Sequence, residues 1–87
     1  MIVNIRLFAN FREATGKKDL PLEVKGDTVE SAVSSLIAAY PGLGPLMLQD
    51  GTLKPYVNIL VNGKSASVGD KIKAGDELAI FPPVSGG

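Results

Sequence analysis

The segment TVESAVSSLIAAYPG, residues 28–42, decides the fold class of this chain. Apolar residues recur in it at spacings of three and four, with polar residues between them, which predicts an amphipathic helix with one buried stripe. Either Asp27 or Thr28 can be its N-cap, and with Asp27 in that role Glu30 occupies the capping-box position. A Pro-Gly pair predicts its end. The stripe consists of Val29, Ala32, Val33, Leu36, Ile37 and Tyr40.

Two strand patterns precede this helix. Val3, Ile5 and Leu7 alternate with the polar Asn4 and Arg6, which is the period of a half-buried strand, and the alternation returns over residues 18–25. Because Pro21 cannot donate a backbone hydrogen bond, the second strand is expected at a sheet edge. Between the two, residues 9–16 lose the alternation and close on Gly16, which predicts a short helical turn with a left-handed end.

The segment 43–51, which follows the helix, is predicted to be an irregular crossover in which Leu46 and Leu48 fill the core. Alternation over residues 57–61 then predicts a third strand. The Asn-Gly pair at 62–63 is a strong hairpin signal, because both residue types tolerate the positive φ angles of a type I′ turn. A short return strand is expected beyond it.

The last strand is predicted around Leu78 and Ile80, and the proline pair at 82–83 ends it. The return strand before it is expected over 64–68. One amphipathic helix among these strands predicts an α+β fold in two layers, with one main helix packed on one face of an antiparallel or mixed sheet of four to five strands. Residues 1–83 are expected to form this single domain, and residues 84–87 a flexible C-terminal tail.

Composition excludes several classes of function. The chain has 87 residues, enough for one domain, with nine basic and nine acidic residues, so it lacks the positive charge typical of nucleic-acid binding. It contains no cysteine and no histidine, so a disulfide framework, a thiol nucleophile and a zinc knuckle are not expected. No apolar run approaches the roughly 20 residues of a membrane span. A cytoplasmic location is the default expectation.

The sequence offers no catalytic constellation, so we expect a carrier or non-catalytic subunit that acts with partner enzymes. The phosphate-binding motif Gly-x-x-x-x-Gly-Lys-Ser/Thr is absent, so nucleotide binding is assigned to a partner. The carboxylates Asp70, Asp76 and Glu77 flank predicted turns, where aspartate commonly bonds to nearby backbone. They are interpreted as structural, and no bound metal or cofactor is predicted.

The end of the chain, FPPVSGG at residues 81–87, is the strongest candidate for function. Two prolines stiffen its origin, and the terminal Gly86 and Gly87 present backbone without side chains, so the last carboxylate could enter a channel too narrow for a Cβ atom. Val84 and Ser85 complete this tail. Using the carboxylate as an electrophile requires a partner that supplies ATP and magnesium. The alternative is that these residues are a frayed chain end without function.

Two segments resemble the family of MoaD, the small subunit of molybdopterin synthase, and the small archaeal modifier proteins. The run AGDELAIFPPVSGG, residues 74–87, is similar to the C-terminus of that family, and LFANFREATG, residues 7–16, is similar to its first strand and short helix. Thr28-Val29 at the helix start fits as well. The resemblance implies a ubiquitin-like β-grasp fold, with the first and last strands parallel and adjacent at the centre of the sheet.

The same resemblance implies what the tail does. Gly87 would be adenylated by an enzyme like the ubiquitin-activating enzymes and converted to a thiocarboxylate, which donates sulfur to the molybdopterin precursor, with the molybdopterin synthase large subunit as partner, or to tRNA. In the archaeal relatives the same glycine is also joined to lysines of target proteins. The thiamine-pathway carrier ThiS shares the fold and the two glycines and is the third reading.

Strand alternation also predicts a docking surface. If the apolar residues of the third and last strands face the helix, then Leu60, Phe81 and Phe8 lie on the other side of the sheet. Together with Pro82 and Pro83 they would suit docking to a partner before the tail is threaded. The alternative is that loops cover them or that they are scattered on the surface. A protein-interaction domain with an idle tail is the remaining hypothesis.

Overall fold

A computed structural model describes residues 1–82 of the chain. Within these residues a five-stranded sheet carries the main helix on one face, and a separate two-stranded sheet follows that helix. A 3-10 turn spans Pro41–Leu43. The elements in chain order are β1 Ile2–Leu7, α1 Ala9–Thr15, β2 Asp19–Glu23, α2 Val29–Ala39, α3 Gly44–Met47, β3 Leu48–Gln49, β4 Thr52–Leu53, β5 Asn58–Val61, β6 Lys64–Ser65 and β7 Glu77–Phe81.

The five-stranded sheet has the order β2-β1-β7-β5-β6. The first and last strands, β1 and β7, lie side by side and parallel, with Ile5 opposite Leu78 and Leu7 opposite Ile80. The other neighbouring pairs are antiparallel. This mixed sheet confirms the predicted β-grasp fold. Its final strand, which leads to the C-terminal residues, is enclosed between two neighbours.

The core lies between the sheet and α2. The inward residues of β1 and β7 are almost completely buried, and α2 covers them with the predicted stripe. Ile37 and Tyr40 of that stripe are only partly buried. Among the described residues, the buried apolar side chains are Val3, Ile5, Leu7, Phe11, Leu20, Leu22, Val24, Val29, Ala32, Val33, Leu36, Leu43, Met47, Val57, Ile59, Ile72, Leu78 and Ile80.

The elements before α2 follow the sequence prediction. Strand β2 is at the edge of the sheet, where the missing N–H of Pro21 costs no ladder hydrogen bond. Helix α1 ends at Gly16, which has a φ of 74° and donates its backbone N–H to the carbonyl of Arg12 at 2.8 Å. Phe11 is fully buried and anchors this short helix.

Of the two candidate N-caps, Thr28 is the one used. Its hydroxyl oxygen accepts a hydrogen bond from the Ser31 backbone N–H at 3.1 Å. Asp27 is therefore not the N-cap, and the capping box that would have involved Glu30 is not formed. The Asp27 carboxylate instead pairs with the Lys71 ammonium at 3.0 Å, which ties the start of α2 to the segment before β7.

The crossover after α2 is more ordered than predicted, and of the two expected core residues only Leu46 packs against the core, partly buried. Leu43 and Met47 are fully buried, whereas Leu46 and Leu48 are only partly buried. The cause is the helical geometry of the 3-10 turn and α3, which brings residues four apart to one side. Strands β3 and β4 then pair around a turn at Asp50 and Gly51, both with positive φ.

The hairpin after β5 is confirmed, but its return strand is shorter than predicted. Asn62 and Gly63 have φ angles of 51° and 83°, as a type I′ turn requires. Only Lys64–Ser65 pair with β5, although 64–68 was expected. The Ala66 backbone N–H makes a last bond to the Ile59 carbonyl of β5 at 2.9 Å, and the Ser67 N–H then donates to the Asp70 carboxylate at 2.9 Å, so the chain turns away from β5.

Asp76 is the buried charged side chain among the described residues, and it joins two turns. Its carboxylate accepts hydrogen bonds from the Asn62 side-chain amide at 3.0 Å and from the Lys73 backbone N–H at 2.8 Å. Asn62 in turn accepts the Glu77 backbone N–H at 3.0 Å. Asp70 likewise accepts the Ser67 backbone N–H at 2.9 Å. The structural interpretation of both aspartates is confirmed.

These hydrogen bonds make Asp76 a source of stability that acid removes. The Asn62 amide, followed by the Lys73 backbone N–H, lowers the pKa of the Asp76 carboxyl below its ordinary value of 3.8. A lowered folded pKa contributes stability above pH 3.8 that is lost as the pH falls through the folded value. We expect Asp76→Asn to reduce the free energy of unfolding at neutral pH by about 1–3 kcal/mol.

Urea unfolding at neutral and acidic pH checks this expectation. The difference between the wild type and Asp76→Asn should shrink at acidic pH, because the wild-type carboxyl is then protonated as well. Asp50→Asn is the matched control, since Asp50 is exposed in the β3–β4 turn. A constant difference across the pH range would contradict the assigned role of Asp76.

Candidate functional site

The origin of the tail is the end of the central strand β7. Phe81 is the last residue of that strand and pairs with Asn58 of β5, and Pro82 is half-buried directly after it. The chain therefore leaves the domain from a position held by neighbours on both sides. The predicted site residues Pro83, Val84, Ser85, Gly86 and Gly87 lie outside the described residues.

Phe8 and Phe81, which the sequence analysis placed on the same side of the sheet, are in direct contact. Their rings stack with a centroid separation of 4.3 Å and an angle of 14° between planes. Such stacked aromatic pairs contribute about 0.5–1.5 kcal/mol beyond the area they bury. Both residues are half-buried. The stack fixes the last residue of β7 against the segment that follows β1.

Leu60 lies on the same face of the sheet as Phe81. In the β5–β7 register Leu60 is opposite Ala79, and Ala79 precedes Phe81 by two residues, so alternation places all three side chains on the face away from α2. Leu60 and Ala79 are half-buried. The docking patch, defined as Phe8, Leu60, Ala79 and Phe81, is thus contiguous along two strands and leads to Pro82.

Arg6 borders the docking patch, a role that the sequence analysis did not assign. Its guanidinium carbon lies 5.9 Å from the centroid of the Phe8 ring, and one guanidinium nitrogen lies 3.8 Å from a Glu77 carboxylate oxygen. Arg6 is opposite Ala79 in the β1–β7 register. The sequence could have indicated this position of Arg6, because strand alternation puts Arg6 and Phe8 on the same outward face. The patch therefore has an apolar centre with a cation at its edge.

The backbone at Ala9 explains how Phe8 reaches the patch. Phe8 is extended, with φ −129° and ψ 152°, and Ala9 then has a φ of 51°. This left-handed residue turns the chain from β1 into α1, and the Phe11 backbone N–H donates to the Phe8 carbonyl at 3.1 Å. A non-glycine residue in this conformation carries strain of about 1–2 kcal/mol.

The described residues contain no cluster of three or more acidic side chains arranged to hold a metal ion. None of the helices within residues 1–82 has both the length and the apolar character that a bilayer crossing requires. What these residues do offer is a stable support for the C-terminal end, with an apolar patch beside it. This arrangement, in a β-grasp fold, is the one found in ubiquitin-like proteins, and similarity to known proteins decides which class of them the chain belongs to.

The chain belongs to the ThiS family, whose family-wide pattern matches residues 5–87. It is 44% identical to small archaeal modifier protein 1 of Haloferax volcanii over 84 residues, covering 94% of this chain and 97% of the relative. It is 34% identical to the molybdopterin synthase sulfur carrier subunit of Escherichia coli over 86 residues, covering 99% and 100%. The resemblance to MoaD and the small archaeal modifier proteins is confirmed, since relatives of both kinds match almost the whole chain.

Solved structures show the same fold. The crystal structure of small archaeal modifier protein 1 from Haloferax volcanii superposes with a TM-score of 0.89 at 42% identity, covering all of both chains. A chain in the BexX/CysO complex of Amycolatopsis orientalis superposes with a TM-score of 0.79 at 27% identity, covering 98% of this chain and 99% of that one. The protein is therefore a ubiquitin-like protein of the sulfur-carrier and modifier type, and such proteins form complexes with partner proteins.

The strain at Ala9 gives a prediction of unusual sign. We expect Ala9→Gly to raise the free energy of unfolding by about 0.5–1 kcal/mol, because glycine adopts positive φ without a Cβ clash and this gain exceeds its entropy cost. The matched control is Ala14→Gly in the same helix, which should lower stability by up to about 1 kcal/mol. Chemical denaturation measures both. Destabilisation by both substitutions would contradict the assigned conformation.

Proposed function

We propose that this chain is a sulfur carrier whose C-terminal Gly87 is adenylated by a partner like the ubiquitin-activating enzymes and then converted to a thiocarboxylate. The observation that carries the proposal is the placement of β7 between β1 and β5, which presents the end of the chain from the middle of a stable sheet. Similarity to the sulfur carrier subunit of Escherichia coli supports it. The chain itself contributes position and recognition.

The chemistry follows from the reactivity of a carboxylate. A Gly87 carboxylate oxygen attacks the α-phosphorus of ATP held with magnesium by the partner, and pyrophosphate leaves. Hydrosulfide then attacks the acyl carbon, AMP leaves and the sulfur loses its proton, which yields the thiocarboxylate without any change of oxidation state. This chain supplies neither nucleotide nor metal, in line with its lack of a phosphate-binding motif. Sulfur would pass to the molybdopterin precursor, with the synthase large subunit as partner, or to tRNA.

The two terminal glycines would let the Gly87 carboxylate enter a narrow active-site channel of the activating enzyme. A residue without a Cβ atom passes through a narrower channel than any other, so a substitution at Gly86 should obstruct the approach of the carboxylate. The proposal assigns Val84 and Ser85 to the spacer between the domain and this reactive end. It assigns no catalytic residue to this chain, and the expected location is the cytoplasm.

Sulfur loading is the first test. Incubation of the intact chain with its activating enzyme, ATP, magnesium and a sulfur donor should increase the mass at Gly87 by the difference between sulfur and oxygen. Deletion of Gly87 should abolish the mass increase. Gly86→Val should slow the loading at least about tenfold, which corresponds to about 1.4 kcal/mol. Intact-protein mass spectrometry measures the loading. Equal melting temperatures of the wild type and the variants would show that a loss of loading does not come from unfolding. Loading of the truncated chain would contradict the proposal.

A second function, conjugation to proteins, is favoured by the 44% identity to small archaeal modifier protein 1. A lysine amine can attack the same acyl-adenylate, which forms an isopeptide bond and releases AMP. Target lysines would then carry a remnant of this tail after proteolytic digestion, and deletion of both terminal glycines would remove every conjugate. A thiamine-pathway carrier role uses the same loaded intermediate with a different acceptor. If the chain were an interaction domain with an idle tail, its binding to partners would be unchanged by that deletion.

We propose that the docking patch, together with Pro82 and Pro83, is the surface that the activating enzyme contacts. Leu60→Arg should raise the KM of the activating enzyme for this chain about tenfold, because a charge at the centre of an apolar contact must be desolvated. Ala39→Arg is the control, since Ala39 is exposed at the end of α2 and adds the same charge. Steady-state pyrophosphate release measures both, and equal effects would contradict the assignment.

A further inference from the structure

A groove lies on the helical layer of the domain, between α2 and the β3–β4 hairpin. It encloses about 440 Å³, within the range of about 300–1,000 Å³ typical of binding clefts. Most of its lining is apolar, and Val68, in the segment between β6 and β7, is among the more exposed large apolar residues described. The apolar lining side chains are Val33, Ile37, Ala38, Leu48, Leu53 and Val68.

The walls of this groove are held in place by the fold. At one end, the Val68 carbonyl accepts the Glu30 backbone N–H at 2.8 Å. On the hairpin side, the Lys54 backbone N–H donates to the Met47 carbonyl at 2.8 Å, and Leu53 and Ile37 pack against the core. Both walls of the groove are therefore fixed by contacts within the domain, so an occupant would meet a pre-organised surface.

The floor of the groove favours an elongated occupant. Ser34 and Ala38 line it four residues apart on α2, and both side chains are small and exposed. Short side chains at this spacing let a second helix approach closely and place larger side chains into the neighbouring apolar space. The polar lining groups are few, which suits a peptide face better than a small polar molecule.

The charges at the groove favour a basic occupant. Glu30 lines its helical wall, and Asp50 is in the hairpin turn next to the lining residue Gly51. Neither carboxylate forms an ion pair with another described residue. Lys54, which follows Leu53, is outside the lining. An apolar groove with unpaired carboxylates is complementary to apolar side chains flanked by lysine or arginine.

We propose that this groove binds an amphipathic helical segment of a partner protein, with an apolar face and basic flanks. The docking patch is on the opposite side of the sheet, since its residues alternate with those that face α2. Both surfaces can therefore be occupied at once. A partner held in the groove leaves the C-terminal end of the chain accessible to a second protein. The proposal goes beyond tail activation and does not depend on it.

A synthetic helical peptide with leucines on one face and lysines along its flanks tests the proposal. Titrated into the isotope-labelled chain, it should shift the amide signals of Ala38, Leu53 and Val68. Ala38→Arg fills the groove and Glu30→Lys reverses its charge, so each should weaken binding about tenfold. Ala74→Arg is the matched control, because Ala74 is exposed and outside the lining. It should bind the peptide as the wild type does.

The outcomes separate the possible occupants. The same peptide with glutamates in place of lysines should not bind, and equal binding would overturn the proposal. Shifts centred on Leu60 and Phe81, or concentration-dependent self-association of the chain through the groove, would overturn it as well. Adenylation of the Ala38→Arg chain by the activating enzyme should stay at the wild-type rate, so failure of the groove and failure of tail activation are distinguishable.

Discussion

The structure depends on the parallel pairing of the two strands at opposite ends of the chain. The partners Ile5 and Leu78 are 73 residues apart in sequence, so the pairing of β1 with β7 carries a large loop-closure entropy cost that the packing of the rest of the domain must offset. Both side chains are completely buried. This pairing closes the core and also places the last strand in the middle of the sheet. Stability and presentation of the C-terminus therefore have the same physical origin.

Several local contacts adjust the end of that strand. The Asp76 hydrogen bonds fix where β7 begins, and the Phe8–Phe81 stack fixes where it ends. The positive φ of Ala9 lets Phe8 reach its partner at the expense of some stability. Backbone strain is often retained at functional sites, so the strain at Ala9 supports the proposed role of the docking patch. The described domain thus holds the end of β7 in a fixed position and places the apolar patch next to it.

The sequence predicted those elements that depend on strong local signals. The helix stripe, the Asn62-Gly63 turn and Gly16 each have a direct conformational reason and are confirmed. The segment 43–51 was harder, because it was predicted to be an irregular crossover with Leu46 and Leu48 in the core, while helical geometry buried Leu43 and Met47 most completely. The Asp50-Gly51 pair was a hairpin signal that could have revealed β3 and β4.

The candidate site was predictable where one face of a strand determines it. Alternation placed Leu60 and Phe81 together, and it could also have indicated Arg6 beside Phe8, whereas the approach of Arg6 to Glu77 depends on the register of β1 against β7. That register is a tertiary property, as is the groove beside α2, which requires the hairpin to pack near the helix. The parallel arrangement itself followed from family resemblance, because residue patterns specify strands but not their order.

The most direct measurement of the central claim compares the chain with a derivative in which only the Gly87 carboxylate is converted to an amide. With the activating enzyme, labelled pyrophosphate exchanges into ATP only when a carboxylate reversibly forms the acyl-adenylate. The account predicts exchange that depends on the concentration of the intact chain and no exchange above background with the amide. Equal exchange by the two forms would contradict activation of this group, whatever the fold of the domain that presents it.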